Sequence, residues 1–269
     1  MTVNPEIPAA TPLIAYAHVG KSFADGRVVA VDDVSLEVAE GEFLAIVGGS
    51  GSGKTTLLRL ANRLIEPDRG RIAVEGEDVS RIDPILLRRR IGYVFQSGGL
   101  FPHLTVAGNI GITPKLLGWP QPEITARVDE LLALVRLDGA QYRDRLPHEL
   151  SGGQRQRVGV ARALAAKPRI VLMDEPFGAL DPLTRDALGE DYRALHHELG
   201  LTTVMITHDM TEAILLADRV AVMRAGKLLA LGTPAELAVD TDAYVSELLR
   251  TPRRQAERLG ALLPRDGAA

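Results

Sequence analysis

The chain has 269 residues, of which 46% are hydrophobic and 25% charged, a balance that supports a packed core and excludes a disordered or collagen-like polymer. Its 31 basic and 35 acidic residues leave a formal net charge of −4, so the chain lacks the global positive field of a general nucleic-acid binder. It has no cysteine, which excludes disulfides, zinc–thiolate centres and thiol nucleophiles.

Residues 1–12, with Pro5, Pro8 and Pro12, read as a loose leader. No basic segment followed by an apolar stretch occurs there, so a secretory signal is not expected. No apolar run approaches the roughly 18–20 residues needed to cross a bilayer. Residues 31–38 partly alternate apolar and polar side chains, as a half-buried strand does. Residues 43–47 (Phe-Leu-Ala-Ile-Val) form a continuous apolar run ending in glycines, the pattern of a strand buried on both faces. Helical spacing follows over 57–64. Residues 91–95 predict another strand, with Gln96 at its end. From 97 to about 166 the pattern turns helical, most clearly over 123–135. Residues 170–173 and 203–206 are again buried strands, running into Asp174-Glu175 and Thr207-His208. Residues 221–231 predict a hairpin about Arg224-Ala225-Gly226-Lys227. Strands alternating with helices, with polar residues gathered past strand ends, predict an α/β fold whose site lies at that edge. The helical block reads as a subdomain inserted into the sheet domain.

Gly48-Gly49-Ser50-Gly51-Ser52-Gly53-Lys54-Thr55, continued by Thr56, fits the P-loop pattern G-x-x-x-x-G-K-[ST] between a strand and a helix. Glycines let the backbone curl so that N–H groups face phosphate oxygens, and the helix starting near Lys54 adds its positive dipole end. Lys54 is expected to reach the β- and γ-phosphates, and the Thr55 hydroxyl to ligate Mg²⁺. Asp174, after four apolar residues, stands where a carboxylate associated with Mg²⁺ belongs in such an enzyme. Neighbouring residues leaving a strand point apart, so Glu175 can face an attacking water as general base. Gln96 is a candidate for orienting water or touching Mg²⁺, and His208 for contacting the γ-phosphate. Neither carries the assignment unaided. Leu150-Ser151-Gly152-Gly153-Gln154 precedes a helix, with Ser151 as its N-cap, and makes a second helix terminus suited to an anion.

In these motifs the chain resembles the ATP-binding subunits of ABC transporters from about Leu13 to Thr233. The P-loop matches Walker A, Gln96 the Q-loop, Leu150 to Gln154 the signature, and Ile170 to Glu175 the Walker B strand with its catalytic glutamate. Ala179-Leu180-Asp181 match the D-loop and His208 the switch histidine. The resemblance implies a P-loop NTPase fold with a mixed sheet core, an antiparallel β subdomain and the inserted helical signature subdomain. It also implies a head-to-tail homodimer around two ATP and Mg²⁺, with Ser151, Gly152, Gly153 and Gln154 of one chain meeting the P-loop of the other. Phe23 falls where the family places an aromatic on adenine, and Gly49 where many relatives have proline. Gln96 and Asp174 would join Thr55 about the metal.

Leu100-Phe101-Pro102-His103 resembles a segment shared widely among importers, and a finer resemblance lies in the residues of Pro114-Lys115-Leu116-Leu117-Gly118-Trp119. These look like the branch that imports quaternary amines such as glycine betaine, choline, carnitine or proline betaine. The implied partners are integral-membrane permease subunits and, indirectly, a periplasmic or lipid-anchored substrate-binding protein, with no nucleic acid. The implied location is the cytoplasmic face of the inner or plasma membrane, and the segment from Gln96 to Val106 would receive the permease's coupling helix. An amino-acid or phosphonate importer remains an alternative, as does a soluble ABC protein acting on ribosome or DNA. A P-loop kinase or GTPase leaves Leu150 to Gln154 unexplained. Residues 234–269 read as a helical tail too short for the paired CBS modules of many members of the branch, and Pro252 is expected to interrupt its apolar spacing. Its arginines 250, 253, 254 and 258 read chiefly as a solvated face.

Overall fold

The computed structural model describes residues 12–96, 98–178 and 180–262. All of the leader except Pro12 therefore lies outside the described residues, as do Ser97, Ala179 and Leu263. Pro12 itself opens the first strand rather than ending a leader.

Two sheets organise the chain. β1 (Pro12–Phe23), β2 (Val28–Ala39), β4 (Arg69–Val74) and β5 (Glu77–Asp78) form an antiparallel sheet in the order β2-β1-β4-β5. The second sheet has the order β10-β9-β3-β8-β7-β6, built from β3 (Phe43–Val47), β6 (Ile91–Val94), β7 (Ile170–Asp174), β8 (Thr202–Ile206), β9 (Arg219–Arg224) and β10 (Lys227–Gly232). Its pairings are parallel except β9 with β10, the expected hairpin. Every residue of β3, β7 and β8 is buried, as their unbroken apolar runs require. β3 divides its side chains between two cores: Phe43, Ala45 and Val47 face one, Leu44 and Ile46 the other.

The helices are α1 (Lys54–Ala61), α2 (Pro84–Arg90), α3 (Val106–Leu116), α4 (Gln121–Leu134), α5 (Gly139–Tyr142), α6 (Gly152–Leu164), α7 (Pro182–Leu199), α8 (Met210–Leu216), α9 (Pro234–Leu237) and α10 (Ala243–Leu262). None among the described residues is long and apolar enough to cross a membrane. α1 stops short of the expected Leu64, because Asn62 caps it and Arg63 turns left-handed at φ 53°. α3 to α6 are the expected insert, and they connect two neighbouring parallel strands, β6 and β7. α6 returns along β6 at backbone distance: a Cβ on Gly92 would lie 2.5 Å from the Ala163 carbonyl. A helix returning between parallel strands has its N-terminus at the sheet edge where those strands end. Ser151 thus shares an edge with the P-loop.

The tail departs from expectation. α10 runs unbroken through Pro252, and its first half is not a solvated face: Val245 is fully buried, and Tyr244, Leu248 and Leu249 pack on the core containing β3. Core contact on one side outweighs the backbone bond that proline removes. The four arginines do lie in solvent.

Candidate functional site: a phosphate loop facing paired carboxylates

β3 delivers the chain into a loop whose shape depends on glycine. Gly48, Gly51 and Gly53 have φ of 151°, 74° and 100°, values L side chains resist. Space forbids a side chain as well: a Cβ would lie 2.1 Å from the Met223 carbonyl at Gly48 and 2.0 Å from the Ala30 carbonyl at Gly53. Lys54 opens α1 and is buried, its ammonium donating to the Gly48 and Gly49 carbonyls at 2.8 and 3.0 Å. Burial holds its pKa below the usual lysine value, against the pull of Glu175 and Asp174. The Ser52 hydroxyl is buried with no hydrogen-bond partner among the described residues. A buried cation and an orphaned donor in a glycine cradle fit a polyanionic ligand.

At the end of β7, Asp174 accepts from the Thr55 hydroxyl at 3.2 Å, and its other oxygen lies 3.5 Å from Arg59. Burial raises its pKa. This is a hard-oxygen donor pair beside the phosphate cradle, chemistry that suits Mg²⁺. Tyr93 stands nearby on β6, its phenol pushed up to about 12 by burial and then by the Asp174 charge.

Glu175 is left-handed at φ 47°, with its N–H donating to the Ile206 carbonyl at 3.0 Å. Such a conformation costs about 1–3 kcal/mol in a non-glycine residue and persists only where its surroundings impose it. It turns the Glu175 carboxylate toward two other strand ends. Gln96 Nε2 donates to Glu175 Oε2 at 2.8 Å, and His208 Nδ1 lies 3.4 Å from the same oxygen. Three candidates from three strands thus meet on one carboxylate. The Gln96 amide is engaged there, and no hydrogen bond joins it to Thr55 or Asp174 among the described residues.

Ser151 caps α6 as expected: its hydroxyl accepts from Gln154 N–H at 3.2 Å, and Gln154 Oε1 accepts from Ser151 N–H at 2.8 Å. Gln154 also donates to the Tyr142 hydroxyl. The hydrogen bonds of residues 151 and 154 stay inside the insert, so one chain does not join this terminus to its own P-loop by such a bond. Phe23 ends β1 and is 40% exposed, which rules out plain core packing. It pairs with Val28 at the tip of the β1–β2 hairpin, and further along β2 the Ala30 carbonyl abuts Gly53.

Beyond Gln96 lies a groove of about 530 Å³ lined by Phe95, Phe101, Leu116, Tyr93 and Arg162 among others. Phe95, Phe101 and Leu116 are exposed in it. Arg162 on α6 donates to the Gly98 and Gly99 carbonyls at 3.0 and 2.7 Å, while Gln156 donates to the Phe95 carbonyl. The Asn109 amide group donates to the carbonyls of Phe101, Leu104 and Thr105, and its oxygen accepts from Phe101 N–H. The groove wall is therefore wired to the helix that Ser151 caps.

Sequence reasoning passed over Arg59, Arg162, Asn109 and Tyr244. Arg59 was within reach, since it stands four residues after Thr55 on the same face of α1. The others depend on contacts across the fold.

The family model described as ABC transporter matches residues 31–178. The choline transport ATP-binding protein OpuBA of Bacillus subtilis is 50% identical over 90% of this chain, and the glycine betaine/carnitine/choline transport ATP-binding protein OpuCA of the same organism is 52% identical over the same share. The chain spans 63% of the length of each. Among solved structures, the ATP-binding cassette MJ0796, a dimer bound to ADP and Pi, aligns with TM-score 0.76 and 32% identity over 82% of this chain and 98% of that one. Motif order, site geometry and these likenesses agree, and the chain belongs to the ABC transporter family.

Proposed function

We propose that the chain is the ATP-hydrolysing subunit of an importer for quaternary amines such as glycine betaine or choline. The observation that carries the chemistry is the convergence of Gln96 and His208 on Glu175 beside the Lys54 loop. Lys54, released from its own loop carbonyls, meets the phosphates, and the backbone N–H groups of residues 50–56 line them. Thr55 and Asp174 hold Mg²⁺, which neutralises phosphate charge when bound. Glu175 takes the proton of a water attacking the γ-phosphorus, ADP leaves, and Gln96 and His208 hold the carboxylate in line. The rate gain is positioning and charge stabilisation.

The Ser151 terminus opens at the same sheet edge as the P-loop. A second chain, head to tail, supplies Ser151, Gly152 and Gly153 to the γ-phosphate, and Phe23 offers its exposed face to adenine. The wired groove beyond Gln96 suits an apolar helix from a permease on the cytoplasmic face of the membrane, so γ-phosphate occupancy at Glu175 is felt at Phe95 and Phe101. The substrate class rests on the relatives, whose names include choline, carnitine and glycine betaine. A substrate-binding protein that delivers the amine is part of the same proposal.

The test is reconstitution of the chain with its co-purifying membrane partner in proteoliposomes, with ATP inside and labelled glycine betaine or choline outside with the cognate binding protein. ATP-dependent uptake is expected, with Glu175→Gln binding ATP normally while hydrolysis and uptake fall at least 100-fold. Undiminished turnover in that variant removes Glu175 from its role. Uptake of neither amine by an active complex removes the substrate class.

A further inference from the structure

The last helix among the described residues, α10, touches the phosphate loop. Tyr244, in the first turn of α10, accepts a hydrogen bond from Gly49 N–H at 3.0 Å. The Arg224 guanidinium lies 4.8 Å from the centre of the same ring, a cation–π distance, so the ring is held from β9, the strand beside β3. The start of α10 is itself fixed, with Asp242 Oδ1 accepting from the N–H groups of Tyr244 and Val245 at 2.8 and 3.1 Å. On the other side of Gly49, its carbonyl accepts from Lys54. One loop residue therefore has a partner from the tail on its N–H and the phosphate-seeking lysine on its carbonyl. The loop's left-handed glycines contribute no side chains to hold its shape, so external partners matter more than in a loop with side chains of its own.

We propose that Tyr244 is a positioning residue for the P-loop, and that through it ATP binding and the docking of α10 are linked. The proposal rests on the reading of the loop as an ATP site. Phosphate draws the Lys54 ammonium away from the Gly48 and Gly49 carbonyls. Gly49 then keeps the turn bond from Ser52 N–H to its carbonyl and, as its one tie outside the loop, its bond to Tyr244, which carries more of the loop's order in the loaded state than in the empty one. Linkage is reciprocal, so a tail that strengthens ATP binding is itself held more firmly once ATP is bound. The hydroxyl, not the ring, makes this bond, and Tyr244→Phe removes it while leaving the Arg224 contact in place.

The experiment measures ATP affinity by calorimetry for Glu175→Gln, which prevents turnover, with and without Tyr244→Phe. Alongside it, amide hydrogen exchange over residues 243–249 is followed with and without ATP in both proteins, and the KM–kcat split is read with and without Tyr244→Phe in the chain that keeps Glu175. The expected result is a dissociation constant about two- to fivefold higher in Tyr244→Phe, the upper end being the effect of one whole net hydrogen bond, which the empty loop already makes, with KM raised and kcat held. ATP should slow exchange over 243–249 in the parent and slow it less in Tyr244→Phe. A purely structural tyrosine would lower the melting temperature without making tail exchange depend on nucleotide. Equal affinities overturn the proposal, as does tail exchange in the parent that ignores ATP, a result that stands even if the variant misfolds. A parent that binds no ATP overturns the functional reading along with it, whereas ATP binding indifferent to Tyr244 overturns this proposal alone.

Discussion

Gly53 shows how narrowly a single residue constrains the site. Its φ of 100° and the Ala30 carbonyl leave no room for a methyl group. Gly53→Ala should lose ATP binding and at least about 1–2 kcal/mol of stability, read as a lowered urea midpoint, whereas Lys54→Ala should abolish tight ATP binding with the midpoint nearly unchanged. Calorimetry and denaturation on the same samples separate the two outcomes. At this scale the sequence was most legible where spacing alone carries the chemistry: the P-loop, the Asp174-Glu175 pair after its apolar strand, and Ser151 with Gln154 as a cap. It was least legible where geometry comes from several strands. Nothing local to Gln96, Glu175 or His208 says that they meet at 2.8 and 3.4 Å. Glu175 holds its positive φ with its N–H bonded to the Ile206 carbonyl on β8, a partner distant in sequence.

Among the elements, strands buried on both faces could be read from their apolar runs, while β1 and β4 could not. β1 changes register with β2 between Tyr16 and Val19 and again nearby, and His18 and Asp33 turn left-handed there, so a clean period of two never develops. The tail misled for the opposite reason: Pro252 looks like a stop, but Val245 and its neighbours are already anchored in the core. Arg162 ties α6 to the groove wall. It is only 8% exposed, and burial lowers its pKa, so its two carbonyl bonds are what justify the buried charge. Arg162→Met should unpair the Gly98 and Gly99 carbonyls and cost roughly 2–3 kcal/mol, measured by urea unfolding. It should also weaken the coupling of hydrolysis to transport in the reconstituted complex.

For the molecule as a whole, stability depends on a histidine that no motif contains. His196, from α7, is 1% exposed beneath β3, bonded to the Thr203 hydroxyl and the Gly41 carbonyl. Burial, and then the nearby Arg193 charge, push its pKa down to about 4, against a smaller opposing pull from Asp218. The unfolded chain takes up this proton near pH 6.5 and the folded chain only near 4. Its contribution is therefore fully present above about pH 6.5 and is lost progressively as pH falls toward 4, by roughly 3 kcal/mol. Urea midpoints between pH 4 and 7 should show that slope, and His196→Gln should flatten it.

The contact of α6 with β6 has a mechanical consequence. Gly92 lets the helix bear on the strand near Ala163, toward its far end from Ser151. With that point as fulcrum, the remaining three turns form an arm about 18 Å long. A tilt of about 5° at the fulcrum carries the Ser151 tip through about 1.5 Å, the difference between a hydrogen bond and none. Gln156, about 10 Å from the fulcrum on the same arm, would transmit that tilt through the Phe95 carbonyl to the groove as a smaller stroke with greater force.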